Sequence, residues 1–278
     1  MKVKLGTYQE ADYKKYTADG TPTWELDVPN LSDTETPKVS LVTITKNRSH
    51  LVSIMLYNWN QLRYPEDKLE WIIVDDSDTD SLRYYLPLID DERIKYYYTK
   101  PFDNIAEKRN HACELATGEY IAFMDDDDYY FPDHIMAKVR ILKHYKKEGV
   151  HSFPVAVYDI VNDDSFVYNW TSNSGMQSNA ISEASIMFKK SYWEKHPFFS
   201  DKQKGIAEGV SFVGRRFKDW IKVHFLFNFI SITHKHNVTN DSRRIDDLYK
   251  HKTPSTGDFK TVFPETFMYI LDRVKSSF

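Results

Sequence analysis

The chain has 278 residues, a formal net charge of -4 and 15% aromatic residues, long enough for one large domain with a substantial core or for two small ones. No basic stripe marks a nucleic-acid binder, and the lone cysteine, Cys113, excludes an internal disulfide framework and suits a reducing, cytoplasmic setting. No run approaches the ~20 apolar residues that a transmembrane helix needs, and the first residues carry no signal-peptide core, so the expected partners are soluble ligands with peripheral membrane contact left open.

In chain order, residues 1–36 are charged and rich in Thr, Asp and Pro and read as an extended arm, with Trp24 and Leu26 available to pin it. From Val39 the pattern becomes strand and helix in alternation. A β-branched run at 39–45 is followed by a helix with Leu51, Ile54, Met55 and Leu62 at helical spacing, then by a second strand over 69–74. A short helix with Leu82, Tyr85 and Leu86 leads to a third strand at 94–98. Asn104 is placed to cap the next helix, and Thr117-Gly118 reads as its left-handed stop. Repeated βα units of this kind imply a mainly parallel sheet with right-handed crossovers.

The fourth strand carries the strongest signal. The apolar run 120–124 ends in four consecutive carboxylates, Asp125 to Asp128, before Pro132 opens another helix. Acids at the C-terminal end of a buried strand lie where open α/β sheets bind ligands. Four adjacent carboxylates repel one another unless a cation or hydrogen-bond donors compensate, which points to a divalent metal, against the blander reading of a solvated acidic loop. Asp75 and Asp76 end the second strand in the same way and are predicted to face the same crevice, where a carboxylate can accept from a ribose hydroxyl or a base N–H. Asp78 and Asp80 read as turn formers. Lys46, Arg48, Lys108 and Arg109 fall near this edge and are candidate phosphate partners. Neither GxGxxG nor GxxxxGK[ST] occurs, so a dinucleotide fold and a P-loop are both unsupported.

The second half is less regular. A helix through Ile135 to Tyr145 is expected to end at 146–149, followed by strand-like runs at 153–158 and 166–170, a polar loop at 171–179, an apolar stretch at 184–188 and a short helix over 192–198. Tyr168, Trp170 and Trp193 are candidates for stacking on sugars or for the core. A strand pair at 223–227 and 229–233 leads to His234 and His236, an HxH that can complete a metal shell beside an acid cluster. Arg243 and Arg244 are placed to close over a diphosphate. Residues 246–278 read as a linker and a final helix with Phe267, Ile270, Leu271 and Val274 on one face.

The run 42–48, then 73–80, then Glu107-Lys108-Arg109-Asn110, then 116–128 with Pro132-Asp133, resembles a GT-A fold glycosyltransferase of the family 2 type. The resemblance covers about residues 38–135. It implies an α/β, Rossmann-like mixed and mainly parallel sheet flanked by helices, in a single domain at 37–245 with a nucleotide-sugar half at 37–150 and an acceptor half at 151–245. It further implies that Thr43 and Asp76 lie against the nucleobase, that Arg109 faces the base or diphosphate, and that Asp125 to Asp127 form a DxD motif. In that motif Asp125 and Asp126 approach the ribose, and Asp127 holds Mn²⁺ or Mg²⁺ across the diphosphate, with His234 favoured over His236 as a further ligand. The implied activity is metal-dependent, inverting transfer of a sugar from a UDP-sugar, or from a dTDP- or GDP-sugar, to a hydroxyl of a glycan or glycoconjugate. Relatives carry a Glu-Asp pair at the helix near 208 whose Asp is the base; here Gly209 stands in that place, which leaves Glu208 as the expected base and Asp201 as a weaker substitute. A sugar-phosphate nucleotidyltransferase and a non-catalytic glycan-binding module are the alternatives.

Overall fold

The computed structural model describes residues 28–168, 181–199, 208–214, 216–223, 225, 228–234, 252–254 and 258–276. Trp24, Leu26, Trp170, the polar loop 171–179, Asp201, His236, Arg243 and Arg244 lie outside the described residues.

Two sheets organise the chain. The larger has seven strands in the order β10-β6-β9-β4-β1-β2-β3. β1 (Val39–Thr45), β2 (Leu69–Asp75), β3 (Ile94–Tyr98) and β4 (Tyr120–Phe123) are mutually parallel where they pair. β6 (Gly149–Ser152) and β10 (Trp220–Val223) pair in parallel with each other, while β9 (Met187–Lys189) runs antiparallel to both β4 and β6. All seven residues of β2 are buried, as a parallel strand covered on both faces requires. The smaller sheet has the order β12-β8-β7-β11-β5 and contains β5 (Tyr129–Tyr130), β7 (Val155–Asp159), β8 (Asp164–Tyr168), β11 (Phe229–Thr233) and β12 (Lys252–Pro254). The mixed α/β class expected from the sequence is therefore present.

The helices close the faces. α1 (Val52–Gln61) follows β1, α2 (Ile105–Leu115) packs on β1 and β2, and α3 (His134–Tyr145) follows the acidic loop. α4 (Lys190–Lys195) and α5 (Glu208–Val213) are short, and α6 (Glu265–Ser276) packs on α1, with the Phe267 ring 5.0 Å from that of Tyr57. Phe267, Leu271 and Val274 are buried at helical spacing, so α6 spends its apolar stripe on the body of the protein. Asn104 caps α2 as expected, its Oδ1 accepting from Glu107 N at 3.0 Å.

Three sequence expectations are corrected. Gly118 does not stop α2 in a left-handed conformation: the helix ends at Leu115 with Ala116 extended. Glycine is required there because a Cβ would come within 2.6 Å of Ser40 N and 2.8 Å of Val39 C. α3 ends as expected, at Tyr145 with Lys146 left-handed at φ 51° as its cap, and Gly149 begins β6, where a Cβ would meet the Trp220 ring at 2.6 Å. The segment around Leu82 to Leu88 forms two 3₁₀ turns rather than a short α-helix. The strands near 223 and 229 are not a pair: β10 lies beside β6 in the large sheet and β11 lies between β7 and β5 in the small one.

Candidate active site

The C-terminal ends of β1, β2 and β4 lie side by side, with Thr45 opposite Asp75 and Val42 opposite Phe123. The acidic loop leaves β4 at this edge and is held from beneath. Asn58 of α1 donates Nδ2 to the Asp128 carbonyl at 2.7 Å and accepts from Tyr130 N at 3.0 Å. The Tyr130 hydroxyl accepts from Asp125 N at 2.8 Å and donates to the Ala184 carbonyl at 2.9 Å. These buried bonds fix the backbone that carries four like charges, which would otherwise spread apart.

The four acids have different surroundings. Asp126 accepts from Thr45 Oγ1 at 2.5 Å and from Arg48 Nη1 at 2.6 Å. Asp127 accepts from the same Arg48 Nη1 at 2.9 Å, and its Oδ2 lies 3.3 Å from His234 Nε2, which the β5–β11 pairing brings to this edge. Asp128 points to the small sheet and accepts from Ile232 N at 2.9 Å. Asp125 is only partly buried, and among the described residues its carboxyl makes no hydrogen bond. Burial pushes Asp125 up to about 7, with Arg109 opposing the shift. Burial also raises Asp126 and, more strongly, Asp128. At Asp127 burial is overcome by Arg48 and His234, which hold it near 2. One guanidinium thus serves two of the four crowded carboxylates.

Those donors suit a hard cation. Asp125 has an unengaged carboxyl, Asp127 is ionised and His234 stands beside it, a set of oxygens and one imidazole that fits Mn²⁺ well and Mg²⁺ less closely. Among the described residues no three acid or histidine side chains already converge as a ligand cluster.

On the β2 side the two acids diverge. Asp76 accepts from Lys108 Nζ and from Phe102 N at 3.2 Å, and the same ammonium donates to the Thr45 carbonyl at 2.5 Å, tying the ends of β1 and β2 to α2. Burial lowers Lys108 from its ordinary value, and Asp76 opposes this. Asp75 does not face a crevice: it is fully buried and accepts from Ser77 N at 2.9 Å, Ser81 Oγ at 2.8 Å, Leu82 N at 2.9 Å and Tyr96 OH at 2.8 Å. Its carboxylate is consumed in shaping the loop after β2. Thr43 is likewise internal, 1% exposed, its proton donated to the Met124 carbonyl at 2.7 Å and its oxygen accepting from Trp71 Nε1 at 2.9 Å, so it does not face a nucleobase. Lys46 is exposed, with its charge acting on Asp78 away from the acids. Asp80 caps Ser49 N at 3.0 Å, as a turn former should.

A second corner lies under α5. Arg109, buried, donates Nε to Glu208 Oε1 at 3.0 Å, sits 4.5 Å above the centroid of the Phe123 ring and leaves Nη1 without a hydrogen-bond partner among the described residues. Sequence reasoning missed Thr45, Asn47, Asn58, Tyr130 and Glu183. Asn47, at φ 54°, gathers the loop after β2 by accepting from the amides of Asp78, Thr79 and Asp80.

Residues 40–220 match the model of glycosyl transferase family 2. The chain belongs to that family. Among curated relatives, this family 2 chain is 33% identical over 116 residues to the putative colanic acid biosynthesis glycosyl transferase WcaA of Escherichia coli (strain K12), covering 37% of this chain and 40% of that one. It is 27% identical over 129 residues to WfgD of Escherichia coli, a UDP-Glc:alpha-D-GlcNAc-diphosphoundecaprenol beta-1,3-glucosyltransferase, covering 46% and 49%. The match spans less than half the length of these relatives. Among solved structures, S. aureus TarS superposes with a TM-score of 0.56 at 15% identity over 70% of this chain and 60% of that one. The mannosyltransferase PcManGT from Pyrobaculum calidifontis, solved with GDP-Man and Mn2+, gives 0.58 at 18% identity over 96% and 75%. The family 2 chain thus has the GT-A fold expected from its sequence. No helix among the described residues is long and apolar enough to cross a membrane.

Proposed function

We propose that the chain transfers a sugar from a nucleotide-sugar to a hydroxyl of a glycan or lipid-linked glycan, with inversion and with a divalent cation bound at Asp125, Asp127 and His234. One observation carries this reading: the acidic loop Asp125 to Asp128 and the Asp76–Lys108 pair follow the adjacent strands β4, β1 and β2, and with the Arg109–Glu208 pair they all fall inside the family-matched region. A bound cation would stabilise the negative charge that develops on the departing diphosphate.

The protein's own groups divide the remaining work. Asp76 and Lys108 form the polar floor of the nucleoside end, with residues 37–150 as the donor half. Arg48 supplies positive charge for the donor phosphates, and Asp126 approaches the ribose. The acid corner around Glu208 and Glu183 receives the proton of the incoming hydroxyl, which must be lost as the glycosidic bond forms. Residues 151–245 furnish the acceptor half. A UDP-sugar is the favoured donor: a TarS structure holds UDP-GlcNAc and the relative WfgD is named for UDP-Glc, while the GDP-Man complex of PcManGT keeps GDP-sugars in the test. The lipid-diphosphate acceptor in WfgD's name suits a cytoplasmic enzyme meeting its acceptor at a membrane surface.

The test is donor binding and hydrolysis with UDP-glucose, UDP-GlcNAc and GDP-mannose, each with Mn²⁺ and with EDTA. Asp127→Ala is expected to fold and to lose metal-dependent turnover. Glu208→Gln is expected to lose turnover and keep donor affinity. Full activity in EDTA contradicts the metal role.

A further inference from the structure

Glu183, which lies just before β9, occupies space that Gly209 leaves open. A Cβ on Gly209 would stand 2.7 Å from Glu183 Oε1, 2.9 Å from its Cγ and 3.0 Å from its Cδ. The Glu183 carboxylate also accepts from Gly209 N at 3.0 Å. Any other residue at 209 would put its side chain where this carboxyl group now sits. The absence of a side chain on α5 and the presence of an acid from another element are therefore one arrangement.

The arrangement opens on the same corner as Arg109 and Glu208. The charges of Glu208 and Arg109 both act on Glu183, and those of Glu208, Glu183 and Asp125 all act on Arg109. Glu208 is 7% exposed and its Oε1 is engaged by Arg109 at 3.0 Å. Glu183 is only partly buried, and its carboxyl is met by the backbone amides of Gly209 and of Glu183 itself. Arg109 occupies a Glu208 oxygen, whereas the Glu183 carboxyl is met by the Gly209 amide. Burial, then the charge of Glu208, raise Glu183 above the ordinary glutamate range. Arg109 Nη1, buried and without a hydrogen-bond partner among the described residues, is a donor still available for a ligand oxygen at this corner.

We propose that Glu183, seated in the space left by Gly209, is the base that takes the proton from the acceptor hydroxyl, with Glu208 and Arg109 positioning it. The inference rests on the transferase reading above. In the step, the acceptor O–H bond breaks and its proton goes to a Glu183 oxygen. The acceptor oxygen bonds to the anomeric carbon, and the bond from that carbon to the diphosphate oxygen breaks with its electron pair leaving on the nucleoside diphosphate. Arg109 Nη1 donates to the attacking oxygen and orients it.

The experiment uses water as the acceptor, so the readout is nucleoside diphosphate release from UDP-glucose, UDP-GlcNAc and GDP-mannose with Mn²⁺, alongside donor Kd by calorimetry. Glu183→Gln should lower kcat at least about 100-fold, the scale of a lost general base, and leave donor Kd within about twofold of wild type. Glu183→Asp should recover part of the rate. The acid limb of the wild-type kcat profile should lie above the usual glutamate range and vanish in Glu183→Gln. Gly209→Ala covers the case of a poorly folded Gln variant: it improves helix propensity, displaces only the carboxyl end of Glu183, and should cut kcat at least about tenfold with Kd unchanged. Rates within about fivefold of wild type in Glu183→Gln while Glu208→Gln is inactive assign the base to Glu208 and overturn the proposal. Equal losses in donor affinity and in rate overturn it too, because they make Glu183 a wall of the pocket. Failure of the wild type to bind any of the three donors defeats the transferase reading, and this proposal with it.

Discussion

Replacing Arg48 with Met removes one positive charge from the centre of the acidic loop. Its Nη1 lies 2.6 Å from Asp126 and 2.9 Å from Asp127, and the side chains are 11%, 3% and 10% exposed respectively. Breaking a buried pair from one side costs about 3–5 kcal/mol, because the acids left behind stay desolvated. Thr45 still serves Asp126 and His234 still serves Asp127, which favours the lower end of that range. At ~2–4 °C per kcal/mol for a chain of this size, Tm should fall on the order of 10 °C in EDTA. Differential scanning calorimetry at neutral pH should also show Mn²⁺ raising Tm more in the variant than in wild type. The cation replaces the lost charge and no longer competes with Arg48, and saturation at about 100 times Kd adds about 2.7 kcal/mol. A fall of under about 2 °C, or equal stabilisation of both proteins by Mn²⁺, would refute the view that Arg48 neutralises this loop and that a cation can take its place.

Asn58→Leu removes the bonds to the Asp128 carbonyl and Tyr130 N; a loss of about 2–4 kcal/mol in urea melts, from leaving two buried backbone groups unmet, with weakened Mn²⁺ binding by calorimetry is expected. Gly118→Ala pushes a Cβ into backbone atoms of β1 at 2.6 and 2.8 Å, so it should cost at least about 2 kcal/mol in the same assay, and an unchanged stability would refute that close approach. Lys138 is fully buried with Nζ unpartnered among the described residues, and burial lowers it to about 7 from 10.5. The unfolded chain then binds that proton more readily than the folded one, so stability from this group rises as pH climbs from 7 to 10.5. Lys138→Met should therefore stabilise most at or below neutral pH, by at most about 5 kcal/mol, with the gain shrinking toward pH 10 in paired thermal melts.

The parallel strands were legible because β-branched runs buried on both faces have little else they can be, and the acid cluster was legible because it follows an apolar run without a break. Which hydroxyl or carboxylate faces outward was not. Thr43 and Thr45 lie on the same face of β1, yet two residues of rise, roughly 6.6 Å, separate a hydroxyl locked between Trp71 and Met124 from one that reaches Asp126. Asp75 and Asp76 are neighbours on opposite faces, so one is absorbed by Ser77, Ser81, Leu82 and Tyr96 while the other meets Lys108. The meeting of Glu183 with Gly209 joins positions 26 residues apart through tertiary packing, and no local pattern announces it. The placement of β10 beside β6 was hidden for the same reason, since a pairing between distant strands leaves no trace in either one alone.

The central claim is tested most directly by nucleoside diphosphate release from UDP-glucose, UDP-GlcNAc and GDP-mannose by wild type and Asp127→Ala, with Mn²⁺ and with EDTA. The expected result is turnover of one donor by wild type with Mn²⁺, abolished by EDTA and by Asp127→Ala while the variant keeps its fold by circular dichroism. Undiminished turnover in EDTA, or no binding of any donor in Mn²⁺, would contradict it.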